Sequence, residues 1–586
     1  MTGQPRRLLE LGALGVWAAL LATSGTAQTA DDLARQREQY DAVAAKSVLD
    51  LQPFRHEVSA VDPRDGRTLR FTSLHPAINA WFLLQTETSK AGVFNSYHLE
   101  NPYPGTQGVR LDTGAEPTLV FTDGPVETRC APFAEADAEL HRARDSALPY
   151  APICDGRLYL RNRVSGSRTN LESWAEFLRD NVWGGEDVVR IVRDNLFRDS
   201  QLETSKQVGT NGQSHAATGP APMQVSDRYA DHPVITTLLD MGLTGTKQGQ
   251  MALGLWYPVT GLNGVFASAF QPRAVSGDIL KGPGKVNALG GIEARATGYV
   301  VAFDLGQYDI NYALGTDHPS LGWSSRPPGS VRPRGLKGPD GISTAKPLVA
   351  LGMVNPVQAG RTIAIFTGGF KRQHGAFKYG DMASFNYGHH YGFIENGVIL
   401  SKLQPGLSTL FGLTDGTVRM KTWTAADNAL LNQIRFARQN GVPLIETDPA
   451  TGHGVPGDRV TKWGPGNWSG SAKAELRTLR AGACMIRQQD TQFLLYGYFS
   501  TATPSAMART FQAYGCDYAM LLDMNALEHT YLAVYARDNG TLNVGHMVPG
   551  MSLIDKKARD GTLIPRFLGY VDNRDLFYLT RKEALK

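Results

Sequence analysis

The stretch from Arg361 to Gly397, RTIAIFTGGFKRQHGAFKYGDMASFNYGHHYGFIENG, restricts the fold of this chain more than any other. Thr362 to Phe366 form a short, β-branched apolar run that stops at Thr367-Gly368-Gly369. That pattern reads as a buried strand delivered into a tight turn. Two adjacent glycines permit positive φ and let the backbone come close to a ligand. Lys371, Arg372, His374, Lys378, Asp381, Asn386, His389 and His390 follow, spaced by Gly375, Gly380, Gly388 and Gly392. This is the composition of a site loop. The alternative is a glycine-rich β-meander with a solvated basic face.

With 586 residues, 42% hydrophobic and 19% charged, the chain can bury a large core in more than one domain. A net charge of +4 and the absence of a basic helix or zinc-finger spacing argue against a nucleic-acid partner. Arg6 and Arg7 precede an apolar segment from Leu8 to Ala22, and Gly25-Thr26-Ala27 offers small residues for cleavage. The expectation is a signal peptide over 1–27, a mature chain from Gln28, and a periplasmic or secreted location. The apolar segment is short for a retained anchor, and no other stretch could span a bilayer, so the mature chain is expected to carry no transmembrane segment. The four cysteines, Cys130, Cys154, Cys484 and Cys516, fall into two local pairs. In an oxidising compartment each pair could close a loop worth about 3–4 kcal/mol. Four buried free thiols are the alternative.

Along the chain, Thr29 to Leu51 reads as a fraying helix, and the block to Asp155 as short strands with Pro-Gly turns. Thr169-Asn170-Leu171-Glu172 fits a capping box for a helix through Leu178, and a second helix covers Glu186–Phe197. Lys206–Ser226 is rich in Gly, Pro, Ser and Thr and marks a linker. Beyond it come strand signals at Met251–Tyr257, Gly264–Phe270 and Tyr299–Leu305. Gly282-Pro283-Gly284-Lys285 fails as a phosphate loop, because the first glycine and the final Ser or Thr are missing. Gly392–Leu400 reads as a hairpin around Asn396-Gly397, and a second strand pair surrounds Asp415-Gly416. Thr424 caps a helix with Leu430, Ile434 and Ala437 on one face, ending at Asn440-Gly441. Arg477–Arg487 and Gln492–Tyr498 pair as strands, Thr503-Pro504 opens a helix that Gly515 stops, and Tyr518–Leu522 forms a buried run ending at Asp523.

Two strands therefore end in polar groups, at Thr367-Gly368-Gly369 and at Asp523-Met524-Asn525, where ligands commonly bind in helix-covered sheets. A carboxylate directly after five apolar residues is costly to bury alone, so Asp523 either pairs with a cation or works on a substrate.

From about Ile363 to Tyr535 the order of features resembles the phosphodiester glycosidase family. Thr367-Gly368-Gly369-Phe370 stands where that family has an Asn-Gly-Gly-Phe-like turn, and Glu395-Asn396-Gly397 matches its hairpin. Arg480-Ala481-Gly482-Ala483 is the counterpart of an arginine-initiated strand. Leu522-Asp523-Met524-Asn525 takes the place of Leu-Asp-Gly-Gly. Thr367 replaces the asparagine, and Met524-Asn525 replaces the two glycines. The resemblance implies cleavage of a sugar phosphodiester, whose phosphate leaving group needs charge neutralisation more than protonation. It makes Thr367, Gly368, Gly369, Lys371, Arg372, His374, His390 and Arg480 candidate binding residues, arginine being suited to grip two oxygens. Asp523 is the first candidate for nucleophile or base, with Glu528 and Glu446 behind it.

Two alternatives stand beside this reading. One is a metal-dependent hydrolase using His374, His389, His390, Asp381 and His453, although nothing resembles HExxH. The other is an exported saccharide-binding or cell-envelope scaffold protein with a degenerate site. The expected fold is α+β, with a central mixed β-sheet flanked by helices and a smaller N-terminal mixed α/β module. The expected layout is a module over 28–205, a linker over 206–226 and the larger domain over 227–586. The expected partner is a saccharide or sugar phosphate, with no cofactor.

Overall fold

The computed structural model describes residues 45, 47–169, 172–173, 198–215, 219–322, 337–338, 340–371, 391–461 and 476–582. The signal-peptide segment, nearly all of both helices expected over 171–197, and Arg372, His374, Asp381, His389 and His390 lie outside these residues.

Strands account for 39% of the structure and helices for 13%, which overturns the expected α+β fold with a mixed sheet flanked by helices. The protein is mostly β, and its sheets are antiparallel. Short apolar runs bounded by glycine do not distinguish parallel from antiparallel neighbours. The turns do. Gln489, Asn396 and Asn539 take φ of 52°, 50° and 48°, and join successive strands tightly, so no crossover helix is needed.

The largest sheet has eight strands, in the order Tyr257–Pro258, Val265–Phe270, Gly298–Asp304, Thr491–Ala502, Thr478–Gln488, Tyr518–Met524, Pro443–Thr447 and Gly454–Pro456. The helix Pro504–Ala513 lies against its centre. Gly482 and Gly497 face each other in register there, and a Cβ on either would come within 2.8 or 2.9 Å of the Phe511 ring. Phe366, whose ring lies 5.1 Å from Tyr496 and 5.3 Å from Phe577, joins this sheet to a five-stranded one. That second sheet runs Tyr308–Ala313, Leu576–Arg581, Thr362–Thr367, Leu532–Asp538, Thr541–His546. Sheet therefore packs on sheet, and the core is the apolar layer between them.

A further five-stranded sheet contains Phe393–Glu395, Ile434–Gln439 and Ser408–Leu413. Here the helix expected after Thr424 is corrected. Thr424 and Asp427 do form a capping box, but the turn is a 3-10 helix, Ala425–Gln433. Ile434–Gln439 then becomes a strand paired on both sides. Almost every residue of that strand is buried, so the period-two signal that would have distinguished it is missing.

In the N-terminal region, a six-stranded sheet from His56–Val61 to Leu158–Arg161 and a three-stranded sheet over Gln107–Cys130 pack with the helix Ala134–Asp145. They enclose their own core of Leu69, Phe71, Phe82, Leu84, Leu119 and Phe121. Within the stretch expected to be a linker, Gln207–Gly209 forms a short strand beside Val234–Thr236. Both local cysteine pairs are disulfides, Cys130–Cys154 and Cys484–Cys516, at sequence separations of 24 and 32. Among the described residues, no helix is long and apolar enough to cross a membrane.

Candidate functional site

Three backbone segments meet at the ends of the two strands singled out by sequence. Tyr518–Met524 carries Asp523 at its penultimate position. Thr362–Thr367 ends where Thr367 meets the His529 carbonyl, and runs into Gly368–Lys371. Asp572–Arg574 precedes the strand Leu576–Arg581 and pairs with the segment after Ala313, Thr316 N–H donating to the Asp572 carbonyl at 3.0 Å and Asp317 N–H to that of Asn573 at 3.2 Å. That pairing brings Asp317 and Arg574 to the same place.

The result is a chain of alternating charge. Arg574 donates from one terminal nitrogen to Asp523 Oδ2 at 2.7 Å, and from the other to Glu172 Oε1 at 2.6 Å and His529 Nε2 at 2.7 Å. Lys371 Nζ lies 3.2 Å from the same Glu172 oxygen and donates to Asp317 Oδ2 at 3.0 Å. Arg168 closes the chain on Asp317 Oδ1 at 2.5 Å. Asp523, Arg574, Lys371 and Glu172 are all buried, so these ion pairs act in a low effective dielectric, where an unpaired member would be costly. Burial alone would raise Glu172, but Arg574 and then Lys371 outweigh it and hold the carboxyl well below the ordinary range. Asp317 is lowered in the same way, burial being outweighed by Lys371 and Arg168.

His529 accepts from Arg574 on Nε2, so its proton sits on Nδ1, which donates to the Met524 carbonyl at 2.9 Å. Both oxygens of Asp523 act as acceptors, the second from Met524 N–H at 2.8 Å. Thr169 donates to Glu528 Oε1 at 3.0 Å.

Several expected site residues thus converge. Asp523 and Lys371 are linked through Arg574 and Glu172. Thr367 donates to the His529 carbonyl at 2.6 Å, and Glu528 is its neighbour. Others do not join them. Arg480 donates to the Ala502 and Leu476 carbonyls, each at 2.9 Å, and to Met524 Sδ at 3.3 Å. Glu446 accepts from Thr422 at 2.8 Å beside Tyr518, at the far end of the strand that carries Asp523. Four residues of strand separate Tyr518 from Asp523, roughly 16 Å. His453 is exposed in a turn, and the remaining expected metal ligands lie outside the described residues.

The glycine pair lets the turn come close to the protein's own side chains. A Cβ on Gly368 would stand 2.4 Å from Asp575 Oδ2, and one on Gly369, at φ 140°, 2.9 Å from Asn440 Oδ1 and 3.0 Å from Arg438 Cζ. The turn packs onto a fully buried pair, Arg438 Nε donating to Asp575 Oδ2 at 2.8 Å. Arg438 also donates to the Phe370 carbonyl at 2.8 Å and Asn440 Oδ1 at 2.8 Å, fixing the chain just before Lys371. His318 lies 3.6 Å from Asp575, and burial first, then Arg438, lowers it to about 4 against the pull of that carboxylate. Behind Arg574, Asp572 accepts its backbone N–H at 2.9 Å and is gripped by both ends of Arg566 at 2.8 and 2.9 Å.

Sequence reasoning missed Arg574, Glu172, Asp317 and His529. The signal available was the polar run Asp572-Asn573-Arg574-Asp575, placed immediately before an apolar strand.

No family model matches the chain, and no curated protein does. Among solved structures, it is similar to the catalytic domain of zebrafish N-acetylglucosamine-1-phosphodiester alpha-N-acetylglucosaminidase, auto-inhibited by its pro-peptide. That match has 10% identity and a TM-score of 0.28, over 67% of this chain and 99% of the other. A putative exported protein from Burkholderia pseudomallei aligns at 11% identity and a TM-score of 0.16, over 90% of this chain and 96% of the other. Superpositions this loose transfer neither a residue nor an activity.

Proposed function

We propose that the protein is an exported hydrolase acting on a sugar phosphodiester or a related glycosidic linkage. Asp523 is the nucleophile or base at the sugar carbon, and Lys371 and Arg574 neutralise the departing phosphate. The observation that supports this reading is the bridge Asp523–Arg574–Glu172–Lys371, which links the ends of two strands distant in sequence through buried ion pairs. Arg574 takes the place first given to Arg480. Two disulfides favour an oxidising compartment. The division into 28–205, 206–226 and 227–586 belongs to the same reading.

One observation favours a second reading, an exported binding protein without turnover. Lys371 and Arg574 are already engaged by Glu172 and Asp317, which leaves them poorly placed to stabilise charge that develops only in a transition state. Incubation with a panel of aryl and nucleotide-diphosphate sugars, scoring sugar release, separates the two. Catalysis predicts turnover that Asp523→Ala and Arg574→Ala each reduce by about 100-fold or more. Turnover undiminished in both variants sinks the catalytic assignment, and saccharide binding without turnover selects the second reading.

A further inference from the structure

The six-stranded N-terminal sheet meets the rest of the molecule at a buried knot of charge. Arg161, ending the strand Leu158–Arg161, donates from Nε and one terminal nitrogen to the Val349 carbonyl at 3.1 and 3.0 Å. Its other terminal nitrogen donates to Glu100. The guanidinium lies 4.4 Å from the Trp81 ring centre and 5.3 Å from that of Tyr150. From across the junction, Glu395 brings one carboxyl oxygen to 3.7 Å from Arg161, while the other accepts Leu314 N–H at 2.9 Å. One cation faces two carboxyl groups, and the three side chains are only 1%, 6% and 3% exposed for Arg161, Glu100 and Glu395.

The two carboxyls are served unequally. Glu100 receives the guanidinium, the Asn355 amide and Trp81 Nε1–H, the last at 3.1 Å. Glu395 has one backbone N–H and a more distant guanidinium. The surrounding hydroxyls of Tyr150, Tyr312 and Tyr578 are all held neutral, chiefly by burial. His98, which accepts Val349 N–H at 2.9 Å, is kept neutral by burial and by Arg161. A buried carboxylate without its own cation is costly, so the second charge is relieved by a proton. Burial pushes Glu395 up to about 8, with Arg161 and the Leu314 N–H opposing and Glu100 adding.

We propose that this junction is proton-linked: it closes with Glu395 neutral, and loss of that proton loosens the hold of the six-stranded sheet on the segment 314–317. That segment carries Asp317 to Lys371, and its backbone pairs with Asp572–Asn573, so the junction borders the charged site without sharing its groups. The inference does not depend on the hydrolase reading. An acid whose pKa is raised on folding contributes stability that is full below its ordinary value of 4.5 and is lost as the pH rises through about 8.

Infrared titration of the full chain, wild type against Glu395→Gln, reads the proton directly. Wild type is expected to lose one protonated-carboxyl band as the pH passes about 8, a band the variant lacks. Amide exchange over Leu158–Arg161 and 314–317, corrected for base catalysis, is expected to rise about tenfold through that window in wild type and to stay flat in Glu395→Gln. Should that variant fail to fold, Glu100→Gln leaves Glu395 with sole claim on Arg161, and the band should disappear at lower pH. The proposal is overturned by a wild type with no such band near neutrality, by the same band in Glu395→Gln, by a band unmoved in Glu100→Gln, or by equal alkaline exchange in wild type and Glu395→Gln.

Discussion

At the scale of single residues, Arg574 holds three partners at once, and a shorter or uncharged side chain cannot replace it. Arg574→Met leaves Asp523 and Glu172 buried without their cation, and should lower the stability read from urea unfolding by about 3–5 kcal/mol. Arg574→Lys should recover less than half of that loss, because an ammonium lacks the planar fork that reaches Asp523, Glu172 and His529 together. Glu172 and Asp317 contribute to the acid sensitivity. Both are lowered in the fold, so their contribution is present above their ordinary values of 4.5 and 3.8 and drains away as the pH falls below them. A Glu172→Gln chain should show a flatter acid limb in a plot of unfolding midpoint against pH. Asp523 was legible in the sequence because a carboxylate after an apolar run demands a partner. The identity of that partner was not, since nothing local singles out Arg574 from the other arginines.

Among elements, the contact of helix Pro504–Ala513 with the eight-stranded sheet depends on two positions without side chains. Gly482→Ala or Gly497→Ala drives a methyl into the Phe511 ring and should cost about 1–3 kcal/mol, seen as a lowered Tm with unchanged strand content by circular dichroism. That helix was legible from its Thr503 cap, Pro504 start and Gly515 stop, and the structure gives the cap its bond, Thr503 Oγ1 accepting Ala506 N–H at 3.2 Å. The hairpin at Asn396-Gly397 was legible for the same kind of reason, a turn that needs positive φ. Ile434–Gln439 was not. A strand buried on both faces shows no alternation, and a helix cap directly upstream carried the reading past Gln433.

Across the whole molecule, each disulfide ties one element to another that is near it in sequence. Cys484–Cys516 joins the central strand Thr478–Gln488 to the turn after the helix, and Cys130–Cys154 joins the two small N-terminal sheets' neighbouring ends. Reduction of each should remove about 3–4 kcal/mol, measured as a fall in the urea midpoint when the chain is unfolded with and without a thiol reductant. Local chemistry was enough for the cysteine pairs, the turns, most strands and one helix, because each depends on a few neighbouring residues and on a period of burial. The architecture was decided elsewhere. Antiparallel sheet on sheet follows from which turns close tightly, and the glycine pair at Gly368-Gly369 meets Arg438 and Asp575. The sequence by itself determined that Asp523, once buried, would need a cation or a substrate, and it marked Lys371 as a candidate to meet negative charge. Only the tertiary structure decided that their partners are Arg574, Glu172 and Asp317, because a buried charge is paired by whatever the packing brings within a few ångströms, however far away in the chain.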